Sequence, residues 1–308
     1  MEHAITESAV ERGARPGTLR ALGELSKPRI TLMAWLCALL GALLGQGSGA
    51  LSTFSLAYAL LAASGTGLLV AAANALNCWM ERDIDGHMTR TRGRPLPSGR
   101  LDPAVALTAG VLCGAGAVAA LLYFNPLTAA LGLASLVVYV GIYTPLKQRS
   151  CVALWVGAIP GAMPPVLGWT ATHGALSAEA YALFLWMFCW QIPHFIAISN
   201  FRWPEYEAAG LKTVTRSVGE PYASWLSSGF AALTVGATLW MLHIGLGGPL
   251  FAWVAGASGL IFAVGHVLSS WPALSARLSR PNFFYSLAYL TFILGALGAE
   301  WGLGLMRV

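Results

Sequence analysis

The sequence predicts an all-α, polytopic membrane protein with about nine transmembrane helices bundled around a central cavity, and three observations lead there. Of 308 residues 56% are hydrophobic and only 10% charged, with a mean hydropathy of +0.65. So few polar side chains cannot cover a water-soluble domain of this length, and lipid is the expected solvent. Apolar stretches able to cross roughly 30 Å of hydrocarbon recur at about 30–46, 53–80, 102–123, 126–145, 152–170, 179–199, 223–243, 249–268 and 283–303. With nine spans, all but Arg307 of the 18 Lys and Arg fall on one face, which orients the N-terminus towards the cytoplasm.

Residues 1–29 read as a cytoplasmic segment. They carry Glu2, Glu7, Glu11 and Glu24 and no apolar core, which argues against a secretory signal or organellar transit peptide and leaves a bacterial inner membrane as the simplest address. Residues 30–303 read as one transmembrane domain. The connections after Gly45, near Asn125 and around Gly247 lack Lys and Arg and are expected to be tight turns. The second span ends in Asn77-x-x-x-Glu81-x-Asp83-x-Asp85, followed by Arg90, Arg92, Arg94 and Arg100. The fourth runs into Tyr143-Thr144-Pro145-Leu146-Lys147-Gln148-Arg149. In the fifth, Gly157, Pro160, Gly161, Pro164, Pro165 and Gly168 must distort the helix, which a membrane tolerates where the helix lines a protein cavity. The sixth ends in Trp190-Gln191-Ile192-Pro193-His194-Phe195, then Asn200, Arg202, Glu205 and Lys212. This second polar set comes four spans after the first, as internal repetition would give, with halves at about 30–145 and 152–268 plus a ninth helix. Five cysteines stand singly in apolar helices, without metal-like spacing, and read as core residues. The net charge of +5 sets orientation and does not indicate nucleic acid.

Asn77, Glu81 and Asp85 are four residues apart. On a helix each is displaced by about 40° and about 6 Å along the axis, which stacks three oxygen-bearing side chains on one stripe. Asp83 is off the stripe and should face elsewhere. Carboxylates at a helix C-terminus are unfavourable beside the negative end of the dipole, a penalty that a bound cation reverses. Mg²⁺ is the natural candidate, since it takes hard oxygens, often one or two carboxylates completed by substrate phosphates. Lys147 and Arg149 set topology and would also pair with a bound diphosphate. His194 and Gln191, in a helix loosened by Pro193, form a further functional candidate. An anion site capping an apolar chamber suits an amphiphile with a diphosphate head and an isoprenoid tail. The corresponding chemistry is ionisation of an allylic C–O bond, with cations stabilising the leaving group and apolar walls excluding water.

The motifs Lys27-Pro28-Arg29-Ile30, Asn77-x-x-x-Glu81-Arg82-Asp83-Ile84-Asp85, Met88-x-Arg90-Thr91-x-x-Arg94-Pro95-Leu96 and Tyr143-Thr144-x-Leu146-Lys147 occur in order along the chain. Gly157-x-x-x-Gly161-Ala162-x-Pro164-Pro165-x-x-Gly168-Trp169, Trp190-Gln191-x-Pro193-His194-Phe195 and Asn282 through Tyr289 follow. In this the chain resembles the UbiA-type intramembrane prenyltransferases over nearly its whole length, and within them the members that modify haem. The resemblance implies transfer of a farnesyl group from farnesyl diphosphate to a vinyl group of haem b, with Mg²⁺ as cofactor and haem O as product. It implies the lipid bilayer, and haem A synthase or terminal-oxidase assembly factors, as partners, and no nucleic acid. Asn77, Glu81 and Asp85 would be the metal ligands. Lys27, Arg29, Arg90, Arg94, Lys147, Arg149, Arg202 and Lys212 would bind diphosphate, and His194 and Glu205 would complete the head-group region or orient haem. Two departures stand out: Glu81 replaces an aspartate of other members, and the second Asp-x-x-x-Asp pattern is absent, with His194, Asn200, Arg202 and Glu205 in its place. A 4-hydroxybenzoate-type polyprenyltransferase and, more distantly, a secondary transporter are the alternative readings.

Overall fold

A computed structural model describes residues 17–47, 53–89, 91–208 and 210–305, which form helices and turns with no strand among the described residues. In chain order the elements are α1 (Thr18–Leu25), α2 (Pro28–Leu44), α3 (Thr53–Met80), α4 (Arg82–Asp85), α5 (Pro103–Leu122) and α6 (Pro126–Val137). A π-helical turn, Val138–Tyr143, carries α6 into α7 (Thr144–Leu146). There follow α8 (Ala153–His173), α9 (Ala178–Phe201), α10 (Trp203–Ala208), α11 (Val214–Val218), α12 (Glu220–His243), α13 (Pro249–Leu268) and α14 (Pro272–Gly302).

Among the described residues, seven helices are long and apolar enough to cross a membrane: α3, α5, α6 with its continuation through α7, α9, α12, α13 and α14. An eighth span requires α1 and α2 together, and they are bent by 56°. The remaining expected span, α8, falls short because Pro160, Pro164, Pro165 and a terminal histidine dilute its apolar character. Its position explains why that is tolerated. It packs against α2, α3, α6 and α9, and every residue from Ala162 to Ala171 is buried, so protein rather than lipid solvates it. The expected cytoplasmic segment also proves to contain a helix, α1, with Ala21 and Leu25 packed against Cys78, Leu96 and Leu101. The last span begins at Pro272 rather than 283, because Pro281 is accommodated inside the helix.

Glycine lets α2 and α8 touch. A Cβ on Gly168 would collide with the Ala38 carbonyl, and one on Gly41 with the Pro165 carbonyl. Asp102 and Asn125 cap α5 and α6 by accepting from Ala104 N and Thr128 N. At the other end of the bundle the fully buried Glu300 of α14 caps α13, accepting from Leu250 N at 2.7 Å and Phe251 N at 3.1 Å. The cysteines are free; Cys37, Cys78 and Cys189 are buried, and Cys113 and Cys151 half-buried.

Candidate active site

The expected stripe forms. Glu81 stands at the join of α3 and α4, with φ −98° and ψ 5°, and i to i−4 bonds carry across it: Glu81 N donates to Asn77 O at 3.0 Å and Asp85 N to Glu81 O at 2.8 Å. Asn77, Glu81 and Asp85 are 1%, 4% and 1% exposed, whereas Asp83 turns outward and pairs loosely with Arg82 at 3.9 Å.

Each member of the stripe meets a cation or a hydroxyl. Lys27 Nζ donates to Asn77 Oδ1 at 2.8 Å, and Asn77 Nδ2 donates to Thr144 Oγ1 at 3.2 Å. Lys147 forms an ion pair with Glu81, and Arg94 Nη1 reaches Asp85 Oδ2 at 2.6 Å. Local structure aims these groups. Pro145 has no N–H for the carbonyl of Gly141, and the chain answers with the π turn. Thr144 then bonds Tyr139 O through its backbone N–H and, at 2.8 Å, through its hydroxyl. This fixes Thr144 and Lys147 against α3. Lys27 sits at the break between α1 and α2 in the left-handed region, φ 50°. The break is pinned by Thr31 Oγ1 and Asn74 Nδ2, which both donate to Ser26 O, at 2.6 and 3.2 Å. The 86–101 loop folds back over the stripe, with Thr91 Oγ1 donating to Asp85 O at 2.8 Å and Arg100 bonding Glu24 Oε2 at 2.7 Å.

Arg29, Arg149 and Lys212 are exposed, and Arg90 lies outside the described residues. Lys212 N donates to Lys147 O at 3.3 Å, tying the second polar loop to the first. Arg202 bonds Glu205 at 2.8 Å, Arg216 bonds Glu207 at 2.6 Å, and Thr215 donates to Asn200 at 2.5 Å. His194 bonds Ser286 at 2.6 Å. The sequence alone does not mark Thr144 or Asn74 as site residues. The signal for Thr144 was its place beside Pro145 and Lys147; Asn74 shows only as a second asparagine one turn before Asn77.

The described residues contain no cluster of three His, Cys, Asp or Glu suited to a metal. What they offer is two buried carboxylates and an amide oxygen on one face, which fits Mg²⁺ completed by substrate phosphates and fits poorly a metal needing nitrogen or sulfur. Two cavities lie elsewhere: one of about 390 Å³ along α5, and one of about 220 Å³ at the opposite end, lined by Gln46, Trp169, His173 and Glu179.

Fold and site define the class: a multi-pass helical membrane protein with a cluster of two buried carboxylates and facing cations at one end of the bundle. Residues 34–288 match the model of the UbiA prenyltransferase family. A protein of Anaeromyxobacter sp. (strain Fw109-5), described as protoheme IX farnesyltransferase, is 41% identical over 298 residues, which is 95% of this chain and 98% of that one. One of Myxococcus xanthus (strain DK1622) with the same description is 41% identical over 287 residues, 92% and 96% of the two chains. The fold is similar to that of a digeranylgeranylglyceryl phosphate synthase, with a TM-score of 0.75 at 13% identity over 92% of this chain and 98% of that one. It is also similar to that of a UbiA homolog from Archaeoglobus fulgidus bound to GPP and Mg²⁺, with a TM-score of 0.58 at 17% identity over 90% and 99%. This chain belongs to the UbiA prenyltransferase family, and it is a prenyltransferase rather than a transporter.

Proposed function

We propose that the protein transfers a farnesyl group from farnesyl diphosphate to a vinyl group of haem b, giving haem O and diphosphate, at the cytoplasmic face of a bacterial inner membrane. The acceptor is supported by the description of relatives 41% identical over nearly the whole chain. The donor site is supported by the buried stripe of Asn77, Glu81 and Asp85 with Lys27, Arg94 and Lys147 set against it, and that observation carries the proposal.

Asn77, Glu81 and Asp85 would hold Mg²⁺, which would act as a Lewis acid on the departing diphosphate. The three cations outnumber the two carboxylates, and they take the phosphate oxygens, Arg94 as a fork and the lysines as point charges. Because their positions are set before substrate arrives, they act on charge as it develops on the leaving group. Arg29, Arg149, Arg202 and Lys212 would raise the local concentration of the anion by their positive charge. As the allylic C–O bond breaks, its electron pair leaves with diphosphate. The vinyl π pair closes the new C–C bond, and water adds to the adjoining carbon and releases a proton. The apolar core below keeps stray water from the farnesyl cation until then.

The test is purified protein with farnesyl diphosphate, haem b and Mg²⁺, with and without chelator, read by mass spectrometry of the haem. Wild type forms haem O only with Mg²⁺, and Asp85→Asn forms almost none. Survival of both transfer and Mg²⁺ dependence in Asp85→Asn would show the metal site to be misplaced. Prenylation of another aromatic acceptor, with haem b left unchanged, would remove the acceptor.

A further inference from the structure

His194 lies in α9, seven residues before its end at Phe201, or about 10 Å along the axis. Its Nδ1 is 2.6 Å from Ser286 Oγ. The Ser286 hydroxyl has one hydrogen, and it is donated to Phe283 O at 2.6 Å. Ser286 Oγ therefore accepts from His194, Nδ1 carries the proton, and Nε2 presents a bare lone pair. No group among the described residues bonds that nitrogen. The ring is held between Trp190, with centroids 4.9 Å apart, and Phe283, at 5.0 Å. Trp190 Nε1 in turn donates to Ser286 O at 2.9 Å, so one residue of α14 anchors both rings of α9.

An aromatic wall continues from His194 towards the charged end of the bundle. Phe283 meets Phe284 at 5.1 Å, and Phe201 stands 6.1 and 6.4 Å from them. At the rim lie two guanidinium groups, Arg202 over Phe201 at 4.8 Å and Arg280 over Phe201 and Phe284 at 5.6 and 5.9 Å. Arg280 is exposed and has no carboxylate partner among the described residues. A bare imidazole nitrogen, aromatic side chains running from it and an exposed guanidinium at the rim match the three parts of haem: iron, macrocycle and propionates.

We propose that the face between α9 and α14 is the haem acceptor site, with His194 Nε2 ligating the iron and Arg280 pairing with a propionate. The inference rests on the haem reading given above. The lone pair of Nε2 forms the Fe–N bond and no proton leaves, because Nδ1 keeps its hydrogen. Ser286 is a positioning residue, since an N–H donated to a fixed oxygen orients a ligating imidazole and raises its basicity. The other described histidines do not offer this. His266 is 2% exposed and walled in by Phe262 at 4.8 Å, His173 and His243 lie at the opposite end, and His87 is exposed in the 86–101 loop.

The experiment titrates full-length protein in nanodiscs with haem b, metal-free protoporphyrin IX and haem dimethyl ester, following the Soret band and the axial-ligand signature in electron paramagnetic resonance. Wild type is expected to bind haem more tightly than protoporphyrin IX and to show an imidazole-ligated iron. His194→Ala loses both, and His194→Gly recovers the signature with added imidazole. Ser286→Ala keeps the ligand but weakens haem about 10–100-fold. Arg280→Gln weakens haem and protoporphyrin IX together and leaves the dimethyl ester unchanged. Retained binding of a farnesyl diphosphate analogue shows that each variant is folded. If wild type binds haem and His194→Ala binds it with the same spectrum and preference, the ligand assignment is wrong while the haem acceptor stands. If wild type neither binds haem nor transfers farnesyl to it, the acceptor reading itself falls.

Discussion

Replacing Lys27 by glycine and, separately, by alanine isolates a backbone effect from a side-chain effect. Lys27 is the one non-glycine residue with positive φ among the described residues, at φ 50° and ψ 69°. For a residue with a Cβ the left-handed region costs roughly 1–2 kcal/mol, while glycine occupies it freely. Glycine also adds unfolded-chain entropy, which takes back roughly 0.4–1 kcal/mol. Both substitutions remove the ammonium and its 2.8 Å bond to Asn77, so that loss cancels between them. The net expectation is that Lys27→Gly is more stable than Lys27→Ala by about 1 kcal/mol, or about 2–4 °C in a protein of this size class. Thermal unfolding in detergent micelles measures the difference, and a farnesyl-transfer assay on the same samples should show the two variants equally impaired. An alanine variant as stable as the glycine variant would mean that Lys27 is not held in the left-handed region.

Breaking the Lys147–Glu81 pair from one side, by Lys147→Met or Glu81→Gln, should cost up to about 3 kcal/mol because a nearly buried charge is left alone. The double variant should lose less than the sum by about 1–3 kcal/mol in chemical denaturation. Gly168→Val forces a side chain into the Ala38 carbonyl and should destabilise the α2–α8 contact by at least about 1–3 kcal/mol, read as loss of monodisperse protein on gel filtration after mild heating. Glu300→Gln weakens the cap on α13 by about 1–3 kcal/mol, yet transfer per folded molecule should be unchanged because Glu300 lies at the far end. The Arg100 hydrogen bond holds the Glu24 carboxyl below its ordinary value. A depressed carboxylate stabilises the fold above its unfolded pKa and loses that contribution as pH falls through the folded one. The melting-temperature gap between wild type and Glu24→Gln should therefore be present at neutral pH, close under acid, and shrink with salt.

The part of this architecture visible in the sequence is the part written in local periodicity. A stripe at spacings of four needs only a continuous helix, and Asn77, Glu81 and Asp85 need nothing further to share a face. Basic residues mark one end of the bundle for the same local reason. Other features depend on pairings that no spacing records. Ser286 meets His194 across 92 residues and Asn77 meets Thr144 across 67, and both depend on how helices pack. Arg29 and Arg149, two residues on from Lys27 and Lys147, are exposed, and a step of two residues turns a side chain by about 200° on a helix. The interior place of α8 shows in its prolines and glycines, which a membrane helix tolerates where protein surrounds it, and every residue from Ala162 to Ala171 is buried.

The pairing within the stripe bears on how such a site survives without its substrate. Two carboxylates at the C-terminal end of a helix, almost wholly buried, would be strongly destabilising if bare, since both desolvation and the helix dipole oppose them. Lys147 and Arg94 answer that cost, and Lys27 holds the amide. On the proposed reading the same three cations are the diphosphate ligands. Binding of a metal with its anion then exchanges partners within one cluster: carboxylates pass from cations to metal, and cations from carboxylates to phosphate. Such an exchange keeps every buried charge paired throughout, so the metal and the diphosphate should bind cooperatively and each poorly alone. Isothermal titration of Mg²⁺ with and without a non-hydrolysable farnesyl diphosphate analogue would measure that coupling, and equal Mg²⁺ affinity in the two titrations would contradict it.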